Sequence, residues 1–101
     1  MEKRRPTCDL EAIKQAIGSI DTLAITTSAF RSATSFGFDR RTIVEVIQRI
    51  ERPMFFKSMT TCADHRVRQD VYRVPTYDLE LYISFQADVV TKFIVMSFKE
   101  K

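Results

Sequence analysis

Glycine occurs only twice in this 101-residue sequence. Gly18 and Gly37 each follow a segment of helical spacing, so the chain has no glycine-rich loop with which to cradle a phosphate chain. Cysteine is equally scarce. Cys8 and Cys62 are isolated, lack the paired spacing of a zinc site, and have one histidine, His65, to help them. Two reduced thiols is the plainer expectation. Carboxylates that could gather a divalent ion are scattered at Asp64, Asp70, Asp78 and Asp88, so neither metal nor any other cofactor is expected. Long apolar runs are missing too. The charged opening Met1–Pro6 leads into none, which argues against a signal peptide or membrane span and for a cytoplasmic protein.

What remains is 45% hydrophobic and 29% charged, the composition of one globular domain over residues 1–101. A net charge of +3 and a pI near 9.1 suit contact with nucleic acid without demanding it. The first half has helical spacing. Leu10, Ile13 and Ile17 recur behind Thr7 or Asp9 as cap, and Gly18 stops the segment. Leu23–Thr27 is at most a short extended piece. Ser28–Phe36 places Ala29, Ala33 and Phe36 together, with Gly37 beyond. Asp39 caps a third helix whose stripe is Ile43, Val46, Ile47 and Ile50, and Pro53 ends it. Arg40, Arg41, Arg49 and Arg52 are then a solvated face.

From Met54 onward the period changes to two. Segments 54–61, 67–74, 79–86 and 90–99 are strand candidates with short links, which favours antiparallel pairing. Helices followed by strands make an α+β fold, with the helices on one face of an antiparallel sheet. Alternation puts Leu79, Leu81, Ile83 and Phe85 on one face of the third strand and Glu80, Tyr82, Ser84 and Gln86 on the other. It groups Ile94, Met96 and Phe98 against Ser97 and Lys99. It also sets Phe55 and Met59 beside Lys57, with Phe56, Ser58 and Thr60 opposite. With strands paired in chain order, Lys57, Gln69, Arg73, Tyr82 and Lys99 converge on the face away from the helices.

Cations, an amide, a phenol and an imidazole are the groups needed to hold a phosphodiester and move protons around it. Cleavage within RNA needs a base for the 2′-hydroxyl, an acid for the leaving 5′-oxygen, and cations for the phosphorane charge. Tyr72, Tyr77, Tyr82 and Arg73 offer planes for unstacked bases. Each residue also has a plainer role. Tyr82 fits as a packing residue, Lys99 as a solvated end, His65 as part of a turn, and Gln69 as a cross-strand partner. Five polar groups of matching parity favour the chemical role.

Lys57–Thr61, Ala63–His65, Gln69–Arg73 and the ending Ser97–Lys101 together resemble the MqsR family of bacterial toxins, whose fold is RelE-like. The likeness implies sequence-selective endoribonuclease activity on mRNA at GC-containing sites such as GCU, restraining translation and growth. It implies catalytic roles for Lys57, Gln69, Tyr82 and Lys99, with Arg73 and His65 beside them in the shared blocks; Arg68 and Tyr77 join these two as candidate RNA contacts. It also implies an MqsA-type antitoxin, zinc-binding and helix-turn-helix, through which alone DNA is reached. Ribosome dependence stays open. Cys62 and Arg68 stand where the family pattern has aromatic residues, and Tyr77 shares the phenol role with Tyr82 as a candidate. The rival expectation is a non-catalytic module that binds nucleic acid or a partner and acts with the antitoxin as co-repressor.

Overall fold

A computed structural model describes residues 2–3, 9–60, 68–76, 79–88 and 92–100. The helices are α1 (Leu10–Ala16), α2 (Thr27–Ser35) and α3 (Arg40–Gln48). Each begins where a side-chain oxygen meets an otherwise unpaired backbone N–H. Asp9 accepts from the Glu11 N–H at 3.1 Å, Thr26 from that of Ala29 at 3.2 Å, and Asp39 from that of Thr42 at 2.9 Å. Of the two caps proposed for α1, Asp9 takes the role; Thr7 lies outside the described residues. Gly37 closes α2 at φ +88°, where the Gly37 and Phe38 N–H groups return to the Thr34 and Ala33 carbonyls at 3.0 Å each. The Gln48 amide then ties α3 to the end of α1, donating to the Lys14 and Ile17 carbonyls at 2.8 and 3.0 Å.

The sheet has five strands in chain order, each antiparallel to its neighbours: β1 (Glu2–Lys3), β2 (Phe55–Thr60), β3 (Arg68–Pro75), β4 (Glu80–Asp88) and β5 (Lys92–Glu100). β1 escaped the alternation pattern because two residues carry no period. Of the expected extended piece, residues 23–26 lie outside the helices while Thr27 already opens α2, and Ile25 bridges in parallel to Val95. The Thr26 N–H meets the Val95 carbonyl at 3.1 Å, and the Val95 N–H meets that of Ala24 at 2.9 Å. This connection covers part of the outer edge of β5.

The three helices cover one face of the sheet. Ile13, Ile17, Ala33, Ile43, Ile47 and Ile50 meet Tyr72, Val74, Leu81, Ile83, Phe85, Val95 and Phe98, all fully or almost fully buried. Burial at roughly 25 cal/mol per Å² of apolar surface makes this layer the main source of stability. Two β-bulges alter the expected alternation. In β2, Phe55 faces Tyr72 while Lys57 faces Val71, so Phe56 is the extra residue. Phe55 therefore packs into the core against Tyr72, at 5.5 Å between ring centroids, rather than beside Lys57. In β5, Val95 faces Phe85 while Ser97 faces Ser84, so Met96 is extra. Val95 and Phe98 share the core face, and the expected grouping of Ile94 and Met96 with Phe98 does not hold.

Candidate active site

The face away from the helices is built in three ranks, each running across the strands from one register partner to the next. The outer rank is Arg73–Tyr82–Lys99. The middle rank is Lys57–Val71–Ser84–Ser97, and the inner rank is Met59–Gln69–Gln86–Ile94. Cross-strand partners place their Cβ atoms about 4.5–5.5 Å apart, so the Tyr82 phenol lies between two cationic neighbours. Arg73 and Gln69 are four residues apart on β3, which spaces the outer and inner ranks by roughly 13 Å. Between them stand the short side chains of Val71, Ser84 and Ser97. The Ser84 and Ser97 hydroxyls are 2.6 Å apart. One hydroxyl proton makes that bond, and the other hydroxyl keeps its proton to donate elsewhere.

Phe56, thrown onto this face by the β2 bulge, joins the outer rank. Its ring lies parallel to that of Tyr82, 8° between planes and 5.7 Å between centroids. The Arg73 guanidinium carbon is 3.9 Å from the Phe56 centroid and 5.7 Å from that of Tyr82. Lys57 Nζ is 5.2 Å from the same Phe56 centroid. Arg73 Nε is buried and, among the described residues, has no hydrogen-bond partner. The guanidinium is therefore oriented by ring faces, with no described carboxylate to neutralise it. The acidic position of the same parity along β4 is Glu80, one step beyond Tyr82.

Lys57, Gln69, Arg73, Tyr82 and Lys99 thus share one face, as their parity indicated. Tyr72 does not join them. It is fully buried on the helix side, edge-on to Phe55 and Phe85, and cannot receive a base. Arg68 opens β3 opposite Thr60, and only its backbone is described. His65 and Tyr77 lie outside the described residues. Phe56 was missed because plain alternation assigns it to the Ser58 side. The one available signal was the Phe55–Phe56 pair, which breaks the alternation just before Lys57.

A cleft of about 650 Å³ lies elsewhere, lined by Phe36, Phe38, Val46, Met54, Val74 and Leu79 on the helix side. Val74 points away from Arg73, so this cleft does not open onto the ranked face. An extended polymer needs a flat track with projecting groups, whereas a small ligand needs such concavity. The ranked face is the better candidate for the chemistry.

Helices on one face of an antiparallel sheet, with a cationic and aromatic set on the other, make an α+β arrangement of the kind found in RelE-like toxins. Residues 5–100 match the family described as motility quorum-sensing regulator, toxin of MqsA, and the chain belongs to that family. The mRNA interferase toxin MqsR of Escherichia coli (strain K12) is 35% identical over 101 residues, covering 100% of both chains.

Proposed function

We propose that the ranked face is where this toxin binds single-stranded mRNA and cuts it by attack of a ribose 2′-hydroxyl on the adjoining phosphorus. The chain is an mRNA-cleaving toxin, an endoribonuclease countered by MqsA. In the cleavage step the 2′-oxygen loses its proton to a base and bonds to phosphorus. The bond from phosphorus to the 5′-oxygen breaks, and that oxygen takes a proton from an acid. The products are a 2′,3′-cyclic phosphate and a 5′-hydroxyl. Tyr82, placed between Arg73 and Lys99, is the proton-transferring group of the outer rank. Arg73, Lys99 and Lys57 compensate the charge that builds on the phosphorane. Gln69, across from Gln86, supplies an amide to the nucleotide that lies over the inner rank.

The observation that carries this reading is the register Arg73–Tyr82–Lys99, with Lys57 one rank away. Likeness to the family supports GC-containing cleavage sites, a zinc-binding helix-turn-helix antitoxin through which DNA is reached, and action in the cytoplasm. Among the described residues, no helix is long and apolar enough to cross a membrane.

Replacing the ribose 5′ to the cut by deoxyribose tests the mechanism. Cleavage should vanish while binding, driven by phosphate contacts, stays within about threefold. Products carrying a 5′-phosphate, or cleavage restored only by added Mg²⁺, would point to a hydrolytic nuclease instead.

A further inference from the structure

We propose that Phe56 is a positioning residue of this site: its ring holds Arg73, Lys57 and Tyr82 in the arrangement that meets the scissile phosphate. The proposal rests on the catalytic reading of the ranked face and adds to it the device that orders the reactive groups.

A phenylalanine that remains 39% exposed on a polar sheet face contributes little to the core, and the core has no place for it. It stands there because β2 carries one residue more than its partner strand at this point. Three chemically distinct groups then converge on one ring. The Arg73 guanidinium carbon is 3.9 Å from the ring centroid, Lys57 Nζ is 5.2 Å from it, and the Tyr82 ring lies parallel at 5.7 Å. Arginine and lysine are among the most rotamer-rich side chains, so holding them still before substrate arrives removes an ordering cost from the reaction. A carboxylate could orient the Arg73 guanidinium equally well, but it would cancel the charge that the phosphorane needs. The face of a benzene ring orients a cation through its quadrupole and leaves the positive charge whole. The buried, unpartnered Arg73 Nε fits this division of labour, because no acceptor competes with the ring for the guanidinium.

Phe56→Leu keeps apolar bulk and removes the quadrupole. Phe56→Tyr and Phe56→Trp keep an aromatic face. Single-turnover cleavage of a short single-stranded RNA gives the rate, and the 2′-deoxy version of the same strand, which cannot be cut, gives the affinity. Phe56→Leu should lower kcat roughly 10- to 100-fold while affinity stays within about threefold, and the aromatic variants should recover most of the rate. In an Arg73→Ala background, the Leu substitution should cost clearly less than it does alone, since part of its effect passes through that guanidinium. Phe56→Met carries the same expectation should leucine unsettle β2, with thermal unfolding as the check on folding. Parental kcat in Phe56→Leu overturns the proposal. So does a loss confined to affinity, which would make Phe56 a stacking platform for a base. Equal losses in the leucine and aromatic variants, or full additivity with Arg73→Ala, overturn it as well. If Lys99→Ala also cleaves like the parent, it is the catalytic reading of the face that has failed. If Lys99→Ala is impaired and Phe56→Leu is not, only the positioning role is lost.

Discussion

Tyr82→Phe separates the phenol from the ring that carries it. The substitution removes one oxygen and one proton. Among the described residues that hydroxyl bonds to no protein group, so its loss leaves no buried partner unsatisfied. The ring still lies parallel to Phe56 and beside the Arg73 guanidinium. Stability should therefore change by less than about 0.5 kcal/mol, the usual range for a half-exposed substitution that breaks no contact. Activity should respond very differently. A side chain that transfers a proton in the transition state contributes about 100- to 10,000-fold, or roughly 2.7–5.4 kcal/mol at 1.36 kcal/mol per tenfold. Tyr82→Ala, which also removes the stack, should lose at least as much rate and disturb Arg73 besides. The assay is single-turnover cleavage with enzyme in excess, which excludes product release from the measured rate. If Tyr82→Phe cleaves within about threefold of the parent, Tyr82 transfers no proton and its ring is only a spacer beside Phe56. The acid–base role would then pass to Lys57, or to His65 or Tyr77 beyond the described residues.

Lys57→Ala and Lys99→Ala should each lower cleavage roughly 10- to 1,000-fold, the loss of one transition-state charge contact, with the unfolding midpoint almost unchanged; a folded variant with parental rates removes that residue from the site. Asp39→Ala should lower the melting temperature near neutral pH, because the Thr42 backbone N–H and hydroxyl hold the Asp39 carboxyl below its ordinary value of 3.8. A depressed folded-state pKa stabilises above the unfolded value and stops doing so as pH falls through the folded one, so the gap between parent and variant melting curves should persist to about pH 4 and narrow only as pH falls below 3.8. The antitoxin should extend the sheet at an open edge. Among the described residues, residues 24–26 meet β5 at Val95 and Met96, leaving Ser97–Glu100 as the candidate edge. Hydrogen exchange on the complex should show new protection along Ser97–Glu100, and protection confined to the helices would sink this docking mode.

Where the sequence was legible, one physical signal dominated at each point. The stripe of Ile43, Val46, Ile47 and Ile50 has the helical period, and all four positions are buried, although α3 stops at Gln48, short of Ile50 and of Pro53. Asp39, and Asp9 as one of two candidates, announce helix starts because a short side-chain oxygen there satisfies an orphan N–H, whereas the Thr26 cap of α2 was not read. Leu81, Ile83 and Phe85 alternate without interruption, so the helix-facing side of β4 follows directly from parity, and Tyr82 with it. The same logic carried Gln69, Arg73 and Lys99 to the correct face. What parity could not supply was β1, the pairing of Ile25 with Val95, and the two bulges. A two-residue strand has no period, and a bridge or bulge depends on the partner strand rather than on the residues that form it.

The β2 bulge shows why this limit falls on Phe56. Phe55 and Lys57 are two apart, so in an unbroken strand they must share a face. The core asks for Phe55 beside Tyr72, and the proposed site asks for Lys57 beside Val71 on the opposite surface. Both demands are met only if one extra residue is inserted between them. That residue cannot follow the alternation, and it emerges next to Lys57 on the open face. Had position 56 been small or polar, the insertion would have resolved the conflict and nothing more. Because it is phenylalanine, the same insertion sets an aromatic ring against Arg73, Lys57 and Tyr82. The local rule fails at the point where the strand serves the core and the proposed site at once, which is where such failures are expected.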